Sequence, residues 1–322
     1  MNSDPLKISL GAGFMALLVA GCTPERDPTE LFADDGAGQL VVEGVLIVGR
    51  PLPTVRLSRT LAPGTPYTWE AAAENLATVV IIADGSDAIP YAQYGFGPGV
   101  YLPPEYVVTV VAPGSTYDLF VEAASGEFLH AVTTTPQPFQ VESWTLLDAS
   151  GLSELRTLRT FAQAGDLIYD AVENQLVYAE GLLEARFRGI AAVDLGAAGF
   201  QLALFSLDLD SGYVIDPPFF EEGDFEDLDR AGSSPAVNAE RGAVRLPWFS
   251  IYYEGRHLYK VFAVDRNWFD YIRSIPEANV GFGFGGNAGD NFASPLFHVD
   301  GGIGLFGSAA VDSVGFTILR AD

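Results

Sequence analysis

Cys22 is the single cysteine of the chain, and it ends the run Leu18-Val19-Ala20-Gly21-Cys22. Lys7 and an apolar stretch from Ile8 to Ala20 precede it, with Asp4 offsetting the lysine charge. The stretch has the length of a signal-peptide h-region and is too short to span a bilayer comfortably. Small side chains just before a cysteine resemble a bacterial lipobox, the alternative being an ordinary secretory leader cleaved nearby with Cys22 incidental. In a lipobox the cysteine thiol is the nucleophile that takes diacylglycerol, and a peptidase then cuts before it. The expectation is a leader over residues 1–21, acylation of Cys22, and membrane attachment through acyl chains, each buried methylene contributing about 0.8 kcal/mol.

Other chemistry-bearing residues are less well placed. Gly281, Gly283 and Gly286 spell G-x-G-x-x-G. A dinucleotide site needs that motif between a strand and a helix, yet Gly289, Asp290 and Pro295 follow and bar a helix, so a loop is expected. Asp208, Asp210 and Gly212 resemble the start of a calcium loop, but its twelfth position is Phe219 rather than a bidentate Glu. The acids that follow, from Asp216 to Asp229, read as a solvated loop. His130, His257 and His298 are too far apart in sequence for a zinc pair. No G-x-S-x-G elbow is present. With 42 acidic residues, no two carboxylates single themselves out as a glycosidase pair. The sequence therefore predicts no catalytic residue, no metal and no cofactor. Aromatic residues crowd Trp248 to Tyr271, mostly as expected core, with alternation over 248–253 turning some outward as a contact surface.

These groups must be carried by strands. The 17 basic against 42 acidic residues leave a net charge of −25, which argues against nucleic acid as a partner. Apolar residues make up 48%, enough for a packed core, and one cysteine excludes a disulfide framework. No segment beyond the leader has 18 consecutive apolar residues. Residues 22–38 are acidic and rich in Pro and Gly, and read as a flexible tether.

From Gln39 the pattern is β. Strands are expected over 39–48, 54–61, 77–83, 89–94, 116–123 and 128–134, with a helical turn within 70–76. Pro136 and Pro138 then punctuate the chain. The fold expected is mainly β: an immunoglobulin-like β-sandwich over 39–138, able to fold as a fragment, followed by a second β-rich, sandwich-like domain over 139–322. In that second unit, Leu152, Leu155, Leu158 and Phe161 permit a short helix, strand not being excluded. Strands are expected over 139–147, 183–190 and 200–209. Residues 244–253 and 258–264 read as a paired meander. The best helix is 267–275, with Asp265 as N-cap and Pro276 closing it. Strands near 296–299, 303–306 and 312–319 end the chain. Residues 291–307 are expected to be structural, with Phe306 buried and Gly301, Gly302 and Gly304 at tight turns or close approaches.

Three segments together carry a resemblance: LVVEG at 40–44 followed by PTVRLSRT at 53–60, VFAVDRNWFDYIRS at 261–274, and NFASPLFHVDGGIGLFGSAAVD at 291–312. In this order, downstream of a lipobox, they resemble a family of uncharacterised Bacteroidetes-type lipoproteins known as a domain of unknown function. Its members are often encoded beside TonB-dependent outer-membrane receptors. The resemblance implies a lipid-anchored, non-enzymatic accessory protein at the outer membrane, on its periplasmic face or at the cell surface, with such a receptor as partner. The alternative from another class is a surface glycan-binding or glycan-cleaving lipoprotein.

Overall fold

The computed structural model describes residues 37–321, except 63, 94, 96, 106, 188, 215–229, 238–241, 247–249 and 275–294. The first strands are β1 (Leu40–Ile47), β2 (Val55–Arg59), β3 (Thr78–Ala83), β4 (Asp87–Tyr91), β5 (Val100–Tyr101), β6 (Thr116–Glu122) and β7 (Phe128–Thr134). Next come β8 (Ser143–Asp148), β9 (Glu154–Thr157), β10 (Gln175–Val177), β11 (Gly181–Arg186), β12 (Gly199–Ser206), β13 (Ala231–Ser233) and β14 (Ala243–Leu246). The last are β15 (Gly255–Val264), β16 (Val299–Asp300) and β17 (Ile303–Leu319). The protein is mainly β, as expected.

Three sheets result. The largest runs β13-β12-β15-β17-β1-β2-β5, with β10 also paired to β17. A second runs β16-β7-β6-β3-β4 and a third β14-β11-β8-β9. Even-numbered residues of β17 supply two cores. Phe306 joins Leu40, Val42, Leu57, Ile81 and Leu119 under the second sheet. Ala310, Val314, Phe316 and Ile318 join Trp144, Phe200 and Tyr259 under the third. Because alternate residues of a strand share a face, the two smaller sheets lie side by side on one face of the large sheet. The helix Arg266–Ser274 packs on the opposite face through Phe269, against Val264 and Ala309.

The two expected units are thus sandwiches that have a sheet in common. β17 makes the join. Its first half pairs in parallel with β1, Val41 opposite Ile303 and Ile47 opposite Ala309. Its second half pairs antiparallel with β15 on the other edge, from Val264–Ala309 to Gly255–Ile318. Each change of partner leaves a stretch of edge open, and polar groups from neighbouring segments close it. At the first, Asn267 Nδ2 donates to Phe306 O at 2.8 Å and Asp265 N to Ser308 O at 2.9 Å. At the second, Asp312 Oδ2 accepts from Val141 N and Asn174 Nδ2 donates to Gly315 O, both at 2.7 Å.

Several local expectations need correction. Residues 303–306 and 312–319 are one continuous strand, because Gly307 sits where Asp265 and Trp268 approach closely rather than at a turn. β14 pairs with β11, while β15 pairs with β12 and β17, so 244–253 and 258–264 form no meander. Residues 154–157 are strand β9, bulged against β8 between Leu146 and Leu147, with Leu152 and Leu155 exposed. The 266–274 helix begins as expected: Asp265 Oδ1 accepts from Trp268 N at 2.9 Å.

Candidate functional site

The β6–β7 hairpin is the place where strand alternation puts apolar groups on the outside. Tyr117, Leu119 and Val121 of β6 and Leu129 and Ala131 of β7 point into the core. The residues between them face solvent. Register sets Phe120 opposite His130, and their rings stack with centroids 4.5 Å apart and planes at 22°. Phe120 is 43% exposed, Phe128 68%, and Val132 is also exposed. On β3, Val80 lies opposite Phe120 and Ile82 opposite Asp118, both half-buried. On β4, Pro90 lies opposite Val80. One row across the sheet therefore reads Pro90, Val80, Phe120, His130 and Asp300. The charged groups on this face are Asp118, Glu122 and Asp300. His130 Nε2 stands 3.4 Å from Asp118 Oδ1. The face exposes apolar groups around Phe120 with Asp118 and Glu122 flanking it, the kind of surface that marks an interaction site.

At the end of the same sandwich, Tyr91 of β4 and the segments around Asn75, Leu76, Gln93 and Gly97 line an open concavity of about 930 Å³. An amide clasp holds it. Gln93 Nε2 donates to Asn75 Oδ1 at 2.7 Å, Gly99 N donates to the same oxygen, and Gln93 Oε1 accepts from Leu76 N. The clasp keeps Leu76 at φ +62° and 82% exposed. These amides are engaged with one another, so they hold the rim rather than offer hydrogen bonds to a guest.

The third sheet shows solvent a different surface. Glu184, buried between β8 and β14, accepts from Arg186 Nε at 2.6 Å and from Arg245 Nε at 2.7 Å. Arg186 also reaches Glu154. Burial opposes ionisation of Glu184, but the two guanidinium groups outweigh it and hold the carboxyl below its ordinary value. The groove here, about 650 Å³, is lined by charges that already satisfy one another.

Where the first two sheets meet, Thr133 Oγ1 donates to Asp265 Oδ2 at 2.6 Å and lies 2.7 Å from Ser308 Oγ. Burial pushes the Asp265 carboxyl up, although hydrogen bonds from Thr133 and nearby backbone N–H groups pull it down. Asp265, Thr133 and Ser308 are buried and join β7, β17 and the start of the helix. The arrangement is a structural seam.

Of the residues singled out in the sequence, Cys22, Gly281, Gly283, Gly286 and the acids from 216 to 229 lie outside the described residues. Asp208 accepts from Arg256 Nε and Nη2 through Oδ1 and from Arg256 N through Oδ2, so an arginine occupies that carboxylate. The histidines do not converge. His130 stacks on Phe120, His257 stacks on Phe316 at 5.6 Å, and His298 meets Asp270 at 2.9 Å. Burial lowers the pKa of His257. Among the described residues no group of three His, Cys, Asp or Glu is placed to hold a metal ion. None of their helices is long and apolar enough to cross a membrane. Tyr253, Tyr259 and Phe269 are buried, in keeping with a core role. Sequence reasoning passed over Phe120 and Phe128, whose signal is an apolar residue at an outward position of an otherwise alternating strand.

Residues 26–162 match the family described as "Domain of unknown function (DUF4249)". No curated protein matches the chain. Among solved structures, the chicken CNTN1 FN1-FN3 domains are similar at 11% identity and a TM-score of 0.24. That match covers 71% of this chain and 64% of the other, so the chain spans less than two thirds of its length.

Proposed function

We propose that this chain is a lipid-anchored, non-enzymatic outer-membrane accessory protein that binds another protein. The observation that carries the reading is the outward face of the β6–β7 sheet, where Phe120, Phe128 and Val132 remain exposed on a framework rigid enough to present them. The match of residues 26–162 to a domain of unknown function assigns no chemistry and is compatible with a binding role. The cysteine context of Cys22 supports the anchor, and the acidic, Pro- and Gly-containing stretch after it supports a tether. The partner to which the resemblance points is a TonB-dependent receptor.

The test has two arms. Cys22→Ala should move the protein from the membrane to the soluble fraction, or leave uncleaved precursor, and should abolish incorporation of labelled fatty acid. Labelling that persists in the variant defeats the anchor. Affinity isolation from solubilised outer membranes should recover a receptor with the unaltered chain and lose it with Phe120→Ser. Recovery unchanged by that substitution defeats the role of the face. The glycan-binding or glycan-cleaving alternative rests on the same surface, with the Phe120 ring beside the acceptors Asp118 and Glu122. It predicts retention on a glycan column that Phe120→Ser abolishes.

A further inference from the structure

We infer that the outward face of the β16-β7-β6-β3-β4 sheet docks a protein surface carrying lysine or arginine side chains around an apolar centre. The inference rests on the partner-binding reading and gives the partner's surface its chemistry.

The centre of the face is apolar: Pro90, Val80 and Phe120 occupy adjoining register positions with Ile82 beside Val80, and Phe128 and Val132 extend it on β7 opposite Glu122 and Asp118. Carboxylates flank the central ring. Asp118 and Glu122 stand on β6 either side of Phe120, and Asp300 lies across from His130 on the edge strand. The outward positions of the five strands include no lysine or arginine. Covering this face with any partner strips water from Glu122, from Asp300 and from Asp118, which has His130 Nε2 3.4 Å from one oxygen. Such desolvation is costly unless the partner supplies a cation and hydrogen-bond donors to each carboxylate. On the third sheet, by contrast, Arg186 and Arg245 already neutralise Glu184.

The same electrostatics sorts the occupants. A second copy would bring acid against acid, from a chain of net charge −25. An anionic lipid surface meets the same repulsion. A glycan needs donors as well as acceptors around its ring, and the immediate neighbours of Phe120 are Val80, Asp118, Glu122 and His130, mostly aliphatic surface and acceptors. A basic protein surface satisfies both parts of the face at once.

The experiment is site-directed photo-crosslinking in cells, with the full chain on its membrane. The photoreactive residue p-benzoylphenylalanine replaces Phe120, with Val172, exposed on the other sandwich, as the control position. The expected result is an adduct with a different protein from position 120, whose crosslinked peptide lies beside lysine or arginine. The Asp118→Lys, Glu122→Lys double variant should lower its yield about tenfold, with an unchanged melting temperature. The milder Asp118→Asn, Glu122→Gln pair should lower it several-fold, and added salt should weaken the adduct of the unaltered face. An adduct with glycan, lipid or a second copy overturns the inference, as does a protein adduct indifferent to both variants. A protein adduct from position 172 alone overturns the inference and leaves partner binding standing. No protein adduct from either position, with the chain on its membrane, defeats partner binding itself.

Discussion

The two small sheets rest on the same face of the large sheet, yet they show solvent opposite surfaces. The β14-β11-β8-β9 sheet turns out a lattice of charges, Arg245, Glu184, Arg186 and Glu154, in which each group has its counter-ion. The β16-β7-β6-β3-β4 sheet turns out stacked and exposed aromatic rings bordered by carboxylates. The inner faces do the same job in both, burying apolar side chains against shared strands. Folding constrains the inner face of a sandwich and leaves the outer one free to specialise. A self-satisfied charge lattice has little left for a partner; a bare ring does.

If the N-terminal sandwich owns its core, a fragment over 39–138 should fold alone. It lacks β16 and β17, and with them the long pairing of β1 and the buried Phe306 ring. The fragment is therefore expected to show no cooperative thermal transition by circular dichroism, while the full chain does. A cooperative transition would show that the shared strand is dispensable to that half.

Next in size is Phe306→Ala. The ring is buried among Gly44, Val55 and the rest of that core, and its loss should cost about 3–5 kcal/mol in urea unfolding. Gly304→Ala tests the same strand through its backbone. Gly304 has φ +115°, and a Cβ there would meet Val42 O at 2.1 Å. A loss of about 1–3 kcal/mol is expected, read by the same unfolding curve.

The two buried carboxylates should respond to acid in opposite directions. Glu184 has a lowered pKa, so the stability it contributes is present above its unfolded value and lost as pH falls through the folded one. Asp265 has a raised pKa, so its contribution is present below the unfolded value and lost as pH rises through the folded one. Melting temperatures measured between about pH 3 and 7 should show the acid-side loss reduced in Glu184→Gln and the opposing trend reduced in Asp265→Asn. Parallel shifts in both variants would remove the contrast between the lattice and the seam. The smallest effect is expected on the exposed rings: Phe120→Ser should change stability by no more than about 0.5 kcal/mol. A larger loss would make the outward face structural and undo the comparison.

What the sequence disclosed follows the range of the interactions. β1, β3, β6 and β7 were legible because β-branched runs and strict alternation are local, and the Asp265 cap because it acts across three residues. Phe306 was legible as core from the apolar–glycine pattern around it. The pairing of β1 with β17 was not, since nothing near Leu40 in sequence specifies a partner at Ile303. Nor was the continuity of β17 between residues 306 and 312, where Gly307 faces Asp265 and Trp268 rather than a turn. Spacing of three at Leu152, Leu155 and Leu158 suited a helix, but pairing with β8 made a strand there. Of the candidate face, the outward Phe120 could have been read from alternation. Its stack on His130 needed the hairpin register.

The parallel union of β1 with β17 also sets a clock. Antiparallel neighbours such as β6 and β7 can meet as soon as their short turn closes, whereas β1 has its partner across most of the chain. Closing so long a loop costs entropy before any contact repays it, and folds rich in such pairings assemble slowly. The hairpins of the second sheet can therefore exist early, but the floor under them is completed last. Until β17 arrives, β1 presents an unpaired edge and the core of Leu40, Val42 and Leu46 lacks the Phe306 ring, the condition in which chains aggregate and chaperones bind.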